Sequence, residues 1–154
     1  MDFSRTVEVA APIEEVWALT ADIEAVAGCI PGVRDLEMVG PGEFTCKLVQ
    51  HVGSVKAAFS LRSTLQVDEA TRTVVTSSSG QDRGLGSTVK AAQTFVLSAA
   101  GDSTRVSIQA EVQITGRIAT FGHRIIGAKA EQVTVEAIEN VDQLLASRRP
   151  AAGA

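Results

Sequence analysis

The hydrophobic pattern of residues 116–146 predicts one long helix near the end of the chain. Apolar residues recur there every three or four positions, which is the spacing of a single helical face. Polar residues such as Gln132, Glu136 and Gln143 fall on the opposite side of the same helix. One face is therefore expected to pack on the rest of the protein, and it consists of Ile126, Ala130, Val133, Ala137, Ile138, Val141, Leu144 and Leu145.

The bulky apolar residues at the start of this segment change sides. When an ideal helix is drawn at about 100° per residue, Ile118, Phe121 and Ile125 lie on the polar side. No Asp or Glu occurs between residues 112 and 130. Apolar residues edged by arginines are typical of a helix that docks on a membrane surface or on a partner. We call this predicted docking group the ridge, and it comprises Arg117, Ile118, Phe121, Arg124 and Ile125.

A second interpretation of the same segment stays open. Gly122 and Gly127 each cost about 1 kcal/mol inside a helix, and a kink at either glycine would turn Phe121 back into the core. If the helix is continuous, small residues such as Ala119 and Gly122 lie beneath the ridge and leave room for a ligand. In that case His123 faces the same space.

Upstream of the long helix, the pattern predicts strands and two short helices. Pro12 suits the first position of a helix, and Asp22 can cap a second helix that ends near Gly28. Alternating apolar and polar residues, separated by turn residues, then indicate a series of hairpins. The predicted strands cover residues 3–9, 33–39, 43–52, 55–67, 72–80, 87–98 and 104–114.

This order of elements predicts an α+β fold of the helix-grip type. Consecutive hairpins give an antiparallel sheet that can pack on one face only. A curved seven-stranded sheet would wrap around the long C-terminal helix, with the two short helices after the first strand. Inward residues at the wide end of this sheet, including Ala57, Ala91 and Ala110, are too small to fill it. We therefore expect a hydrophobic cavity between sheet and helix.

The residues predicted to line this cavity come from four strands, the turn at residues 29–32 and the long helix. Gln93 would be a buried polar group that needs a partner, either a ligand oxygen or a neighbouring side chain or water. His123 could donate a hydrogen bond to a ligand carbonyl, or could instead be satisfied elsewhere or face solvent. The predicted lining is Ile30, Pro31, Phe44, Leu48, Ala57, Phe59, Ala91, Gln93, Ile108, Ala110, Val112, Ile114, Phe121, His123, Ile126 and Val133.

Composition and charge narrow the class of function. The chain of 154 residues is long enough for one domain, which we assign to residues 1–147, with a tail or linker at residues 148–154. Its net charge of −4 argues against nucleic acid, which requires a basic face. No apolar run reaches the length of a membrane span, and residues 1–5 do not resemble a secretion signal.

The sequence contains little that indicates catalysis. Cys29 and Cys46 have no metal-ligand spacing and are too few for a disulfide framework, so a reducing cytoplasm is expected. His51 lies next to a hairpin turn and is expected at the surface. The predicted cavity lining contains no acid–base pair. We therefore predict neither a catalytic residue nor a metal site.

Four sequence motifs resemble those of known proteins. Residues 11–17 (APIEEVW) resemble the common opening of the START/Bet v 1-like superfamily. More narrowly, residues 29–32 (CIPG), 52–57 (VGSVKA) and 116–126 (GRIATFGHRII) resemble the CoxG family of proteins associated with aerobic molybdenum carbon monoxide dehydrogenases. The resemblance covers residues 1 to about 146.

This resemblance implies a START/Bet v 1-like fold and an accessory role. Members of that family are not catalytic subunits; they are associated with attaching the enzyme to the membrane and with passing electrons to respiratory quinone. The chain is thus expected in the cytoplasm, peripheral to the inner face of the cell membrane. It would carry no covalent cofactor, but a bound isoprenoid quinone (menaquinone or ubiquinone), and its partners would be molybdenum hydroxylase subunits.

Two alternatives to this accessory role stay open, because a shared fold does not fix function. The first is an assembly or docking factor that binds no ligand and uses the ridge for a partner protein. The second is a cyclase-like or hydrolase-like enzyme on the same fold.

Overall fold

A computed structural model describes residues 1–148 and contains one antiparallel sheet of seven strands. The strand order is β1-β7-β6-β5-β4-β3-β2, so each strand after the first pairs with the next, and β1 closes the sheet beside β7. The predicted strand bounds are correct to within two residues at each end. The strands are β1 (Asp2–Val9), β2 (Val33–Gly40), β3 (Glu43–Val52), β4 (Val55–Asp68), β5 (Thr73–Asp82), β6 (Ser87–Ala100) and β7 (Ser103–Thr115).

Two short helices join β1 to β2, as predicted. Helix α1 (Ile13–Leu19) follows Pro12, and helix α2 (Ile23–Cys29) follows Asp22. The Asp22 carboxylate accepts a hydrogen bond of 3.1 Å from the backbone N–H of Ala25, which confirms its role as the cap of α2.

Short turns with glycine at a left-handed backbone angle connect β3 to β4 and β6 to β7. Gly53 has φ +59° and Gly101 has φ +66°. Such angles match the twist of a tight hairpin, and glycine adopts them without steric cost. The turns set the strand register, with Val52 opposite Val55 in one hairpin and Ala100 opposite Ser103 in the other.

The segment predicted as one helix is broken near its start. Residues Ile118–Phe121 form a 3₁₀ turn, and helix α3 then runs over Gly122–Arg148. Gly122 has φ +85°, which a residue with a side chain rarely adopts, so the chain changes direction there. The open alternative of a kink at Gly122 is therefore confirmed, and the continuous helix from residue 116 is wrong.

Two separate hydrophobic clusters form the core, one toward each end of the sheet. The first joins α1, the far end of α3 and the sheet, whereas the second joins the β3–β4 hairpin, the 3₁₀ turn and the start of α3. Burial of each aliphatic side chain in such a cluster contributes about 1.5–3 kcal/mol. The buried members are Val9, Ala11, Val16, Leu19, Leu97, Val106 and Leu145 in the first, and Val52, Ala57, Phe59, Ile118 and Ile126 in the second.

The fold class predicted from the sequence is confirmed: a curved seven-stranded antiparallel sheet holds one long C-terminal helix. The predicted tail begins one residue too early, because Arg148 is the last residue of α3, and its Nη2 atom lies 3.2 Å from Asp22 Oδ2. Residues 149–154, the rest of that predicted tail, lie outside the described part of the chain. Within residues 1–148, no helix combines the length and the hydrophobicity that a membrane crossing requires.

Candidate ligand-binding site

The middle of the sheet's inward face is only partly covered. Helix α3 packs closest to α2, β1 and β3, and more loosely on the central strands β4 to β6. Inward side chains between the two core clusters are therefore half-buried, whereas a close-packed core would bury them fully. We call this region the inner surface, and it consists of Leu61, Leu65, Thr76, Ser78, Ala91, Gln93, Phe95, Ile108, Ala110 and Val112.

The inner surface is mostly apolar, but it also carries polar side chains that are hydrogen-bonded in pairs. The hydroxyl groups of Ser63 and Ser78 lie 2.7 Å apart on β4 and β5. The Thr76 hydroxyl donates a hydrogen bond of 3.1 Å to Oε1 of Gln93, between β5 and β6. Of these residues only Gln93 was predicted from the sequence. Thr76 and Ser78 follow the buried Val74 by two and four residues, and this alternation could have placed them on the inward face.

Half of the predicted cavity lining faces inward from the sheet and is half-buried. The strand pairing places these residues on the same side as the core clusters, so their orientation agrees with the prediction. Contact with a ligand stays a prediction for all of them. They are Phe44, Leu48, Ala91, Gln93, Ile108, Ala110, Val112 and Ile114. Val133, also half-buried, belongs to the apolar stripe of α3.

Three predicted lining residues do not border free space. Ala57, Phe59 and Ile126 are buried in the second core cluster, where the 3₁₀ turn packs against the β3–β4 hairpin. Their assignment to an open cavity wall is therefore wrong. Ala57 is small because Ile118 and its neighbours fill the space beside it, not because a ligand does.

His123 lies beside β1, at the margin of the inner surface. Its side chain is exposed, and its ring lies 5.9 Å from the ring of Phe3 on β1. The prediction of an inward His123 assumed one continuous helix, and the left-handed Gly122 rotates the following turn away from that path. Contact of His123 with a ligand therefore stays a prediction.

The ridge is also not one continuous outward surface. Ile118 is only 1% exposed, so its predicted outward position is wrong, and Phe121 is half-buried against the second cluster. Ile125, which is 45% exposed, remains outside together with Arg117 and Arg124. Docking by these three residues stays a prediction.

The turn at residues 29–32 is fixed by side chains from two elements. Gln50 on β3 donates a hydrogen bond of 2.7 Å to the carbonyl oxygen of Pro31. Asn140 on α3 donates one of 2.8 Å to the carbonyl oxygen of Cys29. Ile30 and Pro31 are half-buried beside these anchors, as residues at the edge of a site would be, although a ligand mouth at this turn stays a prediction.

Both cysteines are buried as free thiols. Burial raises the pKa of the Cys46 thiol, because the thiolate would lose its hydration. Burial likewise raises the pKa of Cys29, partly offset by the positive charge of Arg148. Both groups are therefore poor nucleophiles at neutral pH.

The inner surface carries no charged group suited to acid–base chemistry. Among the inward positions of β3 to β7, the one carboxylate is Asp82, at the end of β5. Its oxygens accept hydrogen bonds from the backbone N–H groups of Ala58 (2.8 Å) and Leu85 (3.1 Å), and these bonds lower its pKa. Within residues 1–148, no group of three or more metal-ligating side chains is assembled. The arrangement is suited to binding an uncharged molecule.

Two hollows lie on the outer face of the sheet, away from α3. One of about 620 Å³ is bordered by Asp35, Lys47 and Arg62, and one of about 290 Å³ by Lys90 and Glu111 among others. Their walls carry charges of both signs, unlike the apolar lining predicted for a cavity.

The order of elements and the sheet topology are those of a START/Bet v 1-like fold. Similar solved structures include a conserved protein from Geobacillus kaustophilus (TM-score 0.87, 19% identity, 96% of both chains covered). A START superfamily protein from Mycobacterium smegmatis has a TM-score of 0.71 at 16% identity, covering 96% of this chain and 99% of that one. An aromatase/cyclase from Streptomyces sp. R1128 has a TM-score of 0.71 at 19% identity, covering 99% and 98%.

The family is shown by the sequence itself. Residues 6–146 match the model of the carbon monoxide dehydrogenase CoxG family, and the chain belongs to that family. No curated protein matches the chain. The three structural likenesses above are each below 25% identity, so they establish the fold and not the function.

Proposed function

We propose that this protein is a non-catalytic accessory protein of a molybdenum hydroxylase of the carbon monoxide dehydrogenase type, and that it binds an isoprenoid quinone on the inner surface. The observation that carries the proposal is the half-buried, largely apolar face between two packed clusters. Apolar surface left open inside a fold is stabilised when a hydrophobic ligand covers it. Family membership supports the link to the enzyme.

In this proposal the protein carries reducing equivalents between the enzyme and the membrane quinone pool. It approaches the cytoplasmic face of the membrane with the exposed group Arg117, Arg124 and Ile125. Arginines near an anionic membrane contribute about 1 kcal/mol each, and an exposed isoleucine adds a small apolar contact. The quinone enters the inner surface without a covalent bond.

An enzymatic function on the same fold is the second candidate, since an aromatase/cyclase and a norcoclaurine synthase share the architecture. Acid–base catalysis needs a titratable group beside the reacting atoms. On the inward face of β3 to β7, Asp82 alone could act, and its carboxylate is already held by backbone N–H groups. This favours a binding role over a catalytic one.

The experiment is extraction of quinone from vesicles. Phosphatidylcholine vesicles that contain menaquinone or ubiquinone are incubated with the protein and then removed, and quinone is measured in the protein fraction. We expect close to one quinone per protein. The variant Ala91→Phe fills the inner surface and is expected to reduce the loading at least tenfold.

The matched control is Ala92→Phe, because Ala92 is the next residue of β6 and faces outward. Its loading is expected to equal that of the wild-type protein. Absence of quinone from the wild-type protein would contradict the carrier function, and would leave an assembly or docking factor as the better account.

A further inference from the structure

We propose that the Gln93 carboxamide, held in place by Thr76, is the subsite for an uncharged carbonyl group of the ligand. This inference rests on the proposed function and specifies which chemical class of ligand head the inner surface accepts. It also predicts how the ligand is oriented. The polar head lies between β5 and β6, and the apolar tail lies along the rest of the inner surface.

The hydrogen bond from Thr76 determines what Gln93 can offer a ligand. The Thr76 hydroxyl donates to Oε1 of Gln93 over 3.1 Å, so the carbonyl end of the carboxamide is engaged. The other end, Nε2, is a donor of two hydrogen bonds and has no partner among residues 1–148. Nε2 is also not fully enclosed, so an acceptor on a ligand can reach it.

Two of the inward neighbours of Gln93 on the sheet are small. Ala110 lies directly opposite Gln93 across the β6–β7 pairing, and Ala91 precedes it by two residues on the same face. Both side chains end at a single methyl group, whereas the next inward residue, Phe95, is large. The donor is therefore flanked by two small, half-buried side chains, which would obstruct a bound ring less than larger ones.

The second polar pair does not compete for the ligand. The Ser63 and Ser78 hydroxyls bond to each other at 2.7 Å, and Ser63 is only 2% exposed. This pair lies between β4 and β5, so it does not occupy the position of Gln93 between β5 and β6.

The strands around the subsite offer a carboxylate head no positive partner. The inward positions of β3 to β7 carry no cation, and the inward arginine of β1, Arg5, is exposed and paired with Glu131. A carboxylate buried there would lack a positive partner, which is costly. A neutral carbonyl needs only one donor, so the site favours a quinone over a fatty acid.

The test compares decylubiquinone with palmitate on the intact chain, by equilibrium binding and infrared spectroscopy. We expect decylubiquinone to bind the wild-type protein at least tenfold more tightly than palmitate. We also expect its carbonyl stretch to lie at lower frequency than in hexane, because the carbonyl accepts a hydrogen bond. Gln93→Met, which keeps the length but removes the donor, should weaken quinone binding about three- to tenfold and abolish the frequency shift.

Thr76→Val is the second variant, because it leaves Nε2 intact but removes the bond that orients it. Its affinity should lie between those of the wild-type protein and Gln93→Met. Thermal unfolding identifies any variant that fails to fold. Equal affinity and an unchanged carbonyl stretch in folded Gln93→Met would overturn the subsite while the quinone-binding function stands. Absence of quinone binding to the wild-type protein would overturn both.

Discussion

The ring of Phe121 lies over Gly53, so close that a Cβ atom on Gly53 would be 3.0 Å from Cε1 of the ring. Through this contact the 3₁₀ turn before α3 packs against the β3–β4 turn. It closes the second core cluster at one end of the inner surface. The start of α3 is thus a packed part of the fold.

Substitution of Gly53 by Ala tests this contact. The change introduces strain, because Gly53 has φ +59°, and it also forces the Phe121 ring to move. Gly101→Ala is the matched control, since Gly101 has φ +66° in another short hairpin turn and nothing within 4 Å of the added Cβ. Each change should cost about 1 kcal/mol from the backbone. Urea unfolding should show an additional loss for Gly53→Ala only, and equal losses would argue against the contact.

A second prediction concerns Arg72, whose guanidinium group lies 5.2 Å from the ring centre of Trp17. Its Nη2 atom also lies 2.6 Å from Oε1 of Glu14, so Arg72 ties the β4–β5 turn to α1. Arg72→Ala should destabilise the protein by about 1 kcal/mol. Because Trp17 is the one tryptophan of the chain, its fluorescence should report the change directly. Arg83→Ala, in an exposed turn, is the control, and identical Trp17 spectra for both variants would contradict the stacking.

A third prediction concerns acid stability and Asp82. Backbone N–H groups lower its pKa in the folded state, so its contribution to stability is complete above the unfolded-state pKa of about 4. The contribution is lost as the pH falls through the lower folded-state pKa. Asp82→Asn should therefore be less stable than the wild-type protein at neutral pH, and the difference should shrink in acid. A difference independent of pH in urea unfolding would contradict this assignment, and Asp102→Asn controls for loss of a surface carboxylate.

A fourth prediction concerns the thiols. Cys29 and Cys46 are buried with raised pKa values, so a chromogenic disulfide reagent should modify them at least tenfold more slowly in the native protein than in denaturant. Native reactivity should increase as the pH rises. Single Cys→Ser variants assign each rate, and rapid native modification of either thiol at neutral pH would show that it is accessible.

A fifth prediction concerns the membrane. If Arg117, Arg124 and Ile125 form the docking group, the double variant Arg117→Glu/Arg124→Glu should bind anionic vesicles at least tenfold more weakly. Binding of the wild-type protein should weaken with added salt. The double variant Arg62→Glu/Arg105→Glu, on the outer faces of β4 and β7, makes the same charge change elsewhere, and an equal loss in this control would indicate nonspecific charge effects.

Much of the fold was predictable because the strands are regular. The alternation of β7 and the cap at Asp22 depend on local sequence, and both are found in the structure. The error at residues 116–126 has one cause, since a projection at a constant angle assumes a helix that Gly122 interrupts. The glycine was recognised, but the periodicity of the sequence does not reveal the positive φ that it adopts.

The candidate site was only partly predictable. Gln93 could be identified as an inward polar residue from its own strand. Its partner Thr76 could not, because that pairing depends on the register between β5 and β6. The incomplete cover by α3 was inferred from small residues, yet Ala57 proved to be packed against neighbours while Ala91 and Ala110 are half-buried. Residue size alone does not distinguish these cases.

The most direct test of the central claim is mass spectrometry of an organic extract of the protein purified from its native host, compared with a mock purification. The account predicts an isoprenoid quinone at close to one per protein. A clean extract, together with no binding of added quinone, would contradict it.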